Sequence, residues 1–417
     1  MRPRLLLLVS TSTYRADAFV RAAKRLPVDL SIASENPSSL SHLDPVSLPA
    51  FDFSNPVEAA YHARIFAAAH PVDAVIGVDD ASTLAAATIA EALDLPHNAP
   101  DAVRAALNKY LGRERMRAAG VPVPDYRLVP ISAPESALPG LAFPAVVKPL
   151  AMAASRGVVR VDDATAFIGA CRRIGPMAAD ESPAHDSLAR GHLLVESYVP
   201  GWEVAVEGLV TDGLLHVLAI FDKPDPLEGP FFPETMYVTP SRHAAATQES
   251  IVSMTQRAVA ALGLRHGPVH VELRGNDGGI VPIEVHARSI GGLCSRVLRF
   301  DDGRSLEDVI LQHALGLLGV VPPRPDRPSG VWMMQSPRRG RFVEMRGVTA
   351  ACEVPGVDEV VVTARPRQVL APLPEGFLYL GFIFARGDSA AAVEATLRTA
   401  FDRLQPVVSD LNEAAPA

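Results

Sequence analysis

A parallel α/β layer, a β-rich α+β middle and a small α/β unit at the C-terminal end form the architecture that the sequence predicts. Three observations predict it. From Arg4 onward, short aliphatic strands alternate with amphipathic helices, the pattern of a layered parallel sheet. At Gly120 a helical stretch stops against Val121-Pro-Val-Pro, and the chain beyond it is dominated by strands separated by Gly, Pro and Asp turns. Between Val321 and Gly330 four prolines make a stiff linker, after which strands and a periodic helix resume. A length of 417 residues suits two to four packed units. The breaks divide it into residues 1–120, 121–320 and 331–417.

The elements follow in order. Strands are predicted at Leu5–Ser10, Val28–Ala33 and Ala74–Val78, with helices at Arg15–Leu26, Pro56–Ala69, Ala81–Leu93 and Asp101–Ala119. The middle reads as strands Tyr126–Val129, Ala145–Lys148 and Gly157–Val161, a helix Ala164–Arg173, a polar loop Ala178–Arg190 and a β-rich run His192–Phe221. A Pro-rich loop Lys223–Pro240 precedes a helix Gln248–Leu262 and a hairpin Val269–Arg288. The last unit has short Val-rich strands, an apolar strand Gly376–Ala385, and a helix carrying Val393, Leu397, Phe401 and Leu404 on one face.

Composition removes several classes of function. Formal net charge is −8, so no basic field attracts a nucleic-acid backbone. The apolar run Leu5–Val9 is far below the roughly 20 residues of a membrane span, and too short for an export signal. A soluble, cytoplasmic chain is expected. Cys171, Cys294 and Cys352 are widely separated and match neither a disulfide framework nor a zinc site. No GxGxxG follows the first strand, no GxxxxGK[ST] occurs, and no GxSxG marks a nucleophile. Only four basic side chains are lysine, at 24, 109, 148 and 223, and the rest are arginine. A lysine here therefore marks places where a compact ammonium is needed.

The hairpin carries the most specific chemistry. With period 2, Val269, Val271 and Leu273 face one way and His270, Glu272 and Arg274 the other, while Glu284, His286 and Arg288 share a side of the return strand. Folding brings Glu272 and Glu284 together, an oxygen pair suited to Mg²⁺ bound with substrate phosphates. A solvated polar face is the plainer alternative. Lys148 closes a buried strand before the loop Ala151–Val158, whose backbone N–H groups, with Ser155 and Gly157, suit phosphate oxygens. The run from Glu196 through Ser197, Tyr198 and Val199 to Glu203 offers an apolar edge for a base and a carboxylate for ribose hydroxyls.

In this order and spacing, Lys109, Lys148 with Ser155–Gly157, Glu196–Glu203, Glu272 and Glu284–Arg288 resemble the ATP-grasp superfamily over essentially the whole chain. The segment Ile283–Phe300, with Gly291 and Gly292, and the C-terminal unit resemble the branch of L-amino acid ligases that make dipeptides. The resemblance implies an ATP-grasp fold with a pre-ATP-grasp N-terminal domain and an ADP-forming ligase that activates a carboxylate as an acyl phosphate for attack by an amine. It implies ATP and Mg²⁺, or Mn²⁺, as cofactors, small-molecule carboxylate and amine substrates, and no nucleic acid or membrane partner. A homodimer is the default assembly. Lys109 and Lys148 would contact the ATP phosphates, the Ser155–Gly157 loop would cover them, and Glu196 and the backbone through Val199 would hold adenine. Glu203 would bind ribose, Glu272 and Glu284 the metal, and Arg288 the substrate carboxylate or acyl phosphate.

Two positions depart from the family pattern. His286 stands where a third metal contact is usually Asn, and it is either a nitrogen ligand that favours Mn²⁺ or Zn²⁺ or a non-ligating neighbour. Ala154 stands where glycine is common, which stiffens the phosphate loop. Lys223 is expected to reach the transferred phosphate and Glu234 to bind a substrate amino group, with a loop salt bridge as the alternative for both. Activation of bicarbonate or another small acid, and a nucleotide sensor without turnover, remain as other functions.

Overall fold

The computed structural model describes residues 2–11, 13–38, 44–184, 186–376 and 379–411. Arg4–Leu8 is the middle strand of a three-stranded parallel sheet, flanked by Asp29–Ala33 and Ala74–Gly77. Its leucines alternate between two cores. Leu6 and Leu8 pack with Phe51, Phe53 and Ile89, whereas Leu5 and Leu7 share a core with Phe19, Leu209, Phe221, Ile310 and Phe382. Each fully buried leucine contributes roughly 1.5–3 kcal/mol, so the layer is fastened firmly to the body of the chain.

The end of strand Ala74–Gly77 leads directly into a helix. Asp79 caps the helix Asp80–Ala92 through a reciprocal exchange with Ser82. A Cβ on Gly77 would lie 2.9 Å from the Ser82 and Thr83 backbone, so only glycine lets the helix start this close to the strand. The turn leaves Asp80 at the first position of the helix.

A four-stranded antiparallel sheet has the order Tyr126–Pro130, His192–Ser197, Ala145–Pro149, Val159–Val161. Its covering helix is longer than expected, Ala164–Glu181, and a second helix follows at Ser187–Gly191, so the polar loop Ala178–Arg190 is largely helical. The helix continues because Phe167, Ala170, Cys171, Ile174 and Ala178 keep one apolar face on the sheet, with Pro176 on the exposed side. The single helix expected at Asp101–Ala119 is two, Pro100–Leu107 and Lys109–Ala118. Extended Asn108 breaks it, and its Oδ1 accepts from Tyr110 N at 3.2 Å and Leu111 N at 3.3 Å. Both halves are amphipathic, so periodicity does not register the break.

The central sheet has eight strands in the order Gly279–His286, Gly267–Asn276, Trp202–Thr211, Leu214–Lys223, Met236–Thr239, Ser329–Met334, Gly381–Arg386, Val357–Val362. This corrects two expectations. The loop Lys223–Pro240 contains a strand, Met236–Thr239, hidden in the sequence by the prolines on both sides of it. The C-terminal unit is not set apart, because its strands Ser329–Met334, Gly381–Arg386 and Val357–Val362 continue the central sheet through Met236–Thr239. Of the strand expected at Gly376–Ala385, residues 377 and 378 lie outside the described residues, and the ladder begins at Gly381. The helix Ala390–Phe401 packs Val393 and Leu397 on this sheet, with Phe401 stacked on Trp332 at 4.4 Å. The three cysteines are free thiols. Among the described residues, no helix is long and apolar enough to cross a membrane.

Candidate active site

The strand Gly267–Asn276 buries Val269, Val271 and Leu273 against the helix Ala245–Leu262 and turns His270, Glu272 and Arg274 to the other face. The register sets Glu272 opposite Glu284 and His270 opposite His286. This polar face is not a solvated one: His270 and Arg274 are buried and Glu272 is nearly so. Ligand atoms of Glu272, Glu284 and His286 lie within 4.8 Å of one another, as do those of Glu203, Glu234 and Glu272. Two carboxylates and an imidazole at that spacing fit a divalent ion that takes oxygen and nitrogen ligands.

Cations hold these acids in place. Lys109 Nζ lies 2.8 Å from Glu284 Oε1 and donates to the carbonyl of Met152 at 2.5 Å. Lys223 Nζ is ringed by Glu203 Oε1 at 2.6 Å, Glu234 Oε1 at 2.9 Å and Glu272 Oε2 at 3.1 Å. Burial disfavours its charge, but the three carboxylates outweigh burial and hold its pKa well above the ordinary lysine value. Lys223 lines neither of the cavities described below. With its hydrogens directed at three acids, it makes the salt bridge that stood as the alternative to a phosphate contact.

One cavity of about 80 Å³ lies between the four-stranded and central sheets, lined by Lys109, Lys148, Ser155, Glu196, Ser197, Tyr198, Val199, Glu203, Glu272 and Glu284. The residues expected for nucleotide binding are thus brought together. Glu196 is more committed than expected: Arg113 Nε meets its Oε1 and Lys148 Nζ its Oε2, both at 2.5 Å. Burial pushes this carboxyl up, yet the two cations prevail and bring it to about 2. Burial also lowers the Lys148 pKa. The loop expected to meet phosphates turns through the left-handed region at Ala154 (φ 58°), Ser155 (φ 56°) and Gly157 (φ 68°). Tyr198 stacks on Phe232 and receives the guanidinium groups of Arg160 and Arg274 over its ring.

A larger cavity of about 410 Å³ adjoins the first, and Met152, Ser155, Glu234, Glu272 and Glu284 line both. Arg288, Gly291, Gly292, Cys294 and Tyr379 close its far side, and Tyr14, Arg15, Asp79 and Asp80 of the N-terminal layer roof it. Glu234 Oε2 is buried without a partner. Burial, offset in part by Lys223 and reinforced by Glu272 and Glu203, raises the Glu234 carboxyl to about 7. Arg288 donates to Asp80 Oδ2 at 2.7 Å, and Arg15 bonds the carbonyl of Val78 at 2.6 Å and the hydroxyl of Ser289.

Sequence reasoning missed Arg113, Glu207, Arg15 and Asp80. Arg113 had a signal, since it lies one helical turn after Lys109 on the same face. Glu207, fully buried, accepts from the Ile290 N–H at 2.9 Å and faces His270 Nδ1 at 3.3 Å. It belongs to the same period-2 face of its strand as Glu203.

The model of the ATP-grasp domain matches residues 141–297, and that of the L-amino acid ligase C-terminal domain 2 matches residues 332–409. Residues 141–297 thus form an ATP-grasp domain, and the chain has the ATP-grasp fold. It is similar to an L-amino acid ligase from Bacillus licheniformis, whose crystal structure matches with a TM-score of 0.83 at 26% identity, over 98% of this chain and 99% of that one. Carnosine synthase 1 from Gallus gallus is 32% identical over 216 residues, which are 51% of this chain and 23% of that enzyme. This ATP-grasp chain thus matches about a quarter of that relative's length. The biotin carboxylase domain dimer of 2-oxoglutarate carboxylase from Hydrogenobacter thermophilus, solved with MgADP and bicarbonate, shares the fold at 15% identity and a TM-score of 0.66, over 98% and 91% of the two chains. The protein is accordingly an ATP-grasp ligase, similar to L-amino acid ligases and carnosine synthase.

Proposed function

We propose that the enzyme joins an amino acid, or a similar carboxylic acid, to an amine through an acyl phosphate, forming a dipeptide or amide. The observation that carries this reading is the pair of adjoining cavities with shared walls. One has lysines and acids suited to a nucleotide, and the other has Arg288 on one side and the Glu234 carboxyl, beside Tyr237, on the other. A guanidinium suits a carboxylate or an acyl phosphate, and a carboxylate suits an ammonium.

In this reading residues 1–120 roof the substrate cavity, residues 121–320 hold nucleotide and metal, and residues 331–417 complete the wall with Met333 and Tyr379. The backbone of Ser197–Val199 meets the adenine edge, because the Glu196 carboxylate is held by Arg113 and Lys148. Glu203 faces the ribose. Lys109 and Lys148, with the N–H groups of the Ser155–Gly157 loop, offset phosphate charge. Glu272, Glu284 and His286 would hold Mg²⁺ or Mn²⁺, which supplies charge neutralisation for phosphoryl transfer.

The acid's carboxylate oxygen attacks the terminal phosphorus, and the bond to the bridging oxygen breaks, releasing ADP. The amine nitrogen then attacks the acyl carbon, the C–O bond to phosphate breaks, and the nitrogen loses one proton as phosphate leaves. Arg288 holds the reacting carboxyl group, and Glu234 holds an amino group. Positioning and charge do most of this work.

Phosphate release from ATP, measured with Mg²⁺ or Mn²⁺ across single and paired amino acids with mass detection of products, tests the proposal. Release that requires two amino acids, with a condensed product mass, is expected. ADP formation with bicarbonate and no dependence on an amine would overturn it.

A further inference from the structure

We infer that Asp80 fixes His286 as a nitrogen ligand, so that the metal position of this chain prefers a transition ion such as Mn²⁺ over Mg²⁺. The inference rests on the ligase reading, which brings a divalent ion to Glu272 and Glu284.

His286 ends the return strand of the hairpin and is buried at 6% exposure. Its Nε2 faces Glu284 Oε1 at 3.4 Å, on the side of the acid cluster. Its Nδ1 faces Asp80 Oδ1 at 3.3 Å, and Asp80 Oδ2 accepts from Arg288 at 2.7 Å. An imidazole whose Nδ1–H is taken by a carboxylate presents a bare lone pair at Nε2, the arrangement of a ligating histidine with its supporting acid.

Arg288 also lies 3.1 Å from Nδ1. In the opposite tautomer Arg288 would donate there. Asp80 Oδ1 would then face a second lone pair, and Nε2–H would point into the acids that bind the ion. The carboxylate of Asp80 on both Arg288 and His286 therefore favours the ligating form. Mn²⁺, though mainly an oxygen-loving ion, accepts an imidazole nitrogen more readily than Mg²⁺ does, and later transition ions accept it more readily still, whereas Mg²⁺ keeps oxygen ligands and water. Asp80 is a positioning residue that comes from the N-terminal layer, 206 residues away in sequence. No other side chain of that layer reaches His286 among the described contacts.

Pulsed EPR on the full chain with Mn²⁺ and ADP tests this without turnover. Nitrogen modulation from a directly bound imidazole is expected in the native protein and lost in His286→Asn. Competition of Mg²⁺ against the Mn²⁺ signal should show a smaller preference for Mn²⁺ in that variant. Asp80→Ala is expected to weaken Mn²⁺ binding roughly 10- to 100-fold with less effect on Mg²⁺, its circular dichroism spectrum matching the native one. Absence of nitrogen modulation, its survival in His286→Asn, or unchanged Mn²⁺ affinity in Asp80→Ala would overturn the inference. Phosphorus coupling from ADP reports separately on the nucleotide reading. Its absence beside intact nitrogen modulation would count against that reading and leave the assignment of His286 supported.

Discussion

Gly157 closes the phosphate loop at φ 68°, and a Cβ there would lie 2.6 and 2.8 Å from the ring of Pro149, next to Lys148. Gly157→Ala must therefore displace either the loop or the strand end that carries the lysine. A rise of about tenfold in the KM for ATP is expected, or ~1.4 kcal/mol of lost binding. Steady-state kinetics would show it, and an unchanged KM would mean that the loop does not cover phosphates. Glu196 gives a prediction about stability, since its carboxylate is the shared counter-charge of Arg113 and Lys148 in a buried place. Glu196→Gln leaves two buried cations with no opposing charge, at a cost of about 3–5 kcal/mol. Denaturant unfolding measures it, and a loss below 1 kcal/mol would contradict the account. At this scale the sequence was informative where chemistry is local. Glu272 and Glu284 could be paired from strand period and turn position alone. Asp80 could not, because its meeting with Arg288 and His286 depends on how the N-terminal layer docks.

The segment Pro372–Gly376 links the phosphate loop to the C-terminal unit. Gly157 N donates to Pro374 O at 2.9 Å, Arg156 Nε to Glu375 O at 3.2 Å, and Arg173 grips the Glu375 carboxylate at 2.6 and 3.0 Å. Shortly beyond it, Tyr379 lines the larger cavity. This strap ties the loop over the smaller cavity to the wall of the larger one. Glu375→Ala and Arg173→Ala, at a partly exposed and an exposed side chain, should leave the unfolding midpoint nearly unchanged. They should raise the KM for ATP a few-fold and speed proteolysis within residues 151–157. Equal proteolysis rates in variant and native protein would show that the strap does not restrain the loop. Elements with strong period were legible, including the helix carrying Val393 and Leu397. The strand Met236–Thr239 was not, because four residues between prolines form a strand only when flanking strands supply partners.

Across the whole molecule, the N-terminal layer, the four-stranded sheet and the central sheet meet at one place, and the site lies between them. Away from it, His266 and His313 stack at 4.4 Å, with His266 Nε2 and His313 Nδ1 lacking partners. Burial first, then His266 and His216, lower the His313 pKa from 6.5 to about 4. The folded chain thus binds this proton less readily than the unfolded chain, so its contribution is intact above pH 6.5 and declines as pH falls toward 4. His313→Gln should flatten the loss of urea stability between pH 6.5 and 5, and an identical slope in the variant would contradict this. The order of motifs along the chain was enough to identify the ATP-grasp fold. It did not reveal that the C-terminal strands extend the central sheet, because strand partners across a crossover leave no mark in local pattern. The claim that most needs a direct test is activation of the acid by phosphorylation. With an acid labelled by ¹⁸O in its carboxylate, and the amine and ATP present, the released phosphate should carry one ¹⁸O per turnover. Phosphate free of label, with product formed, would contradict an acyl phosphate and the mechanism built on it.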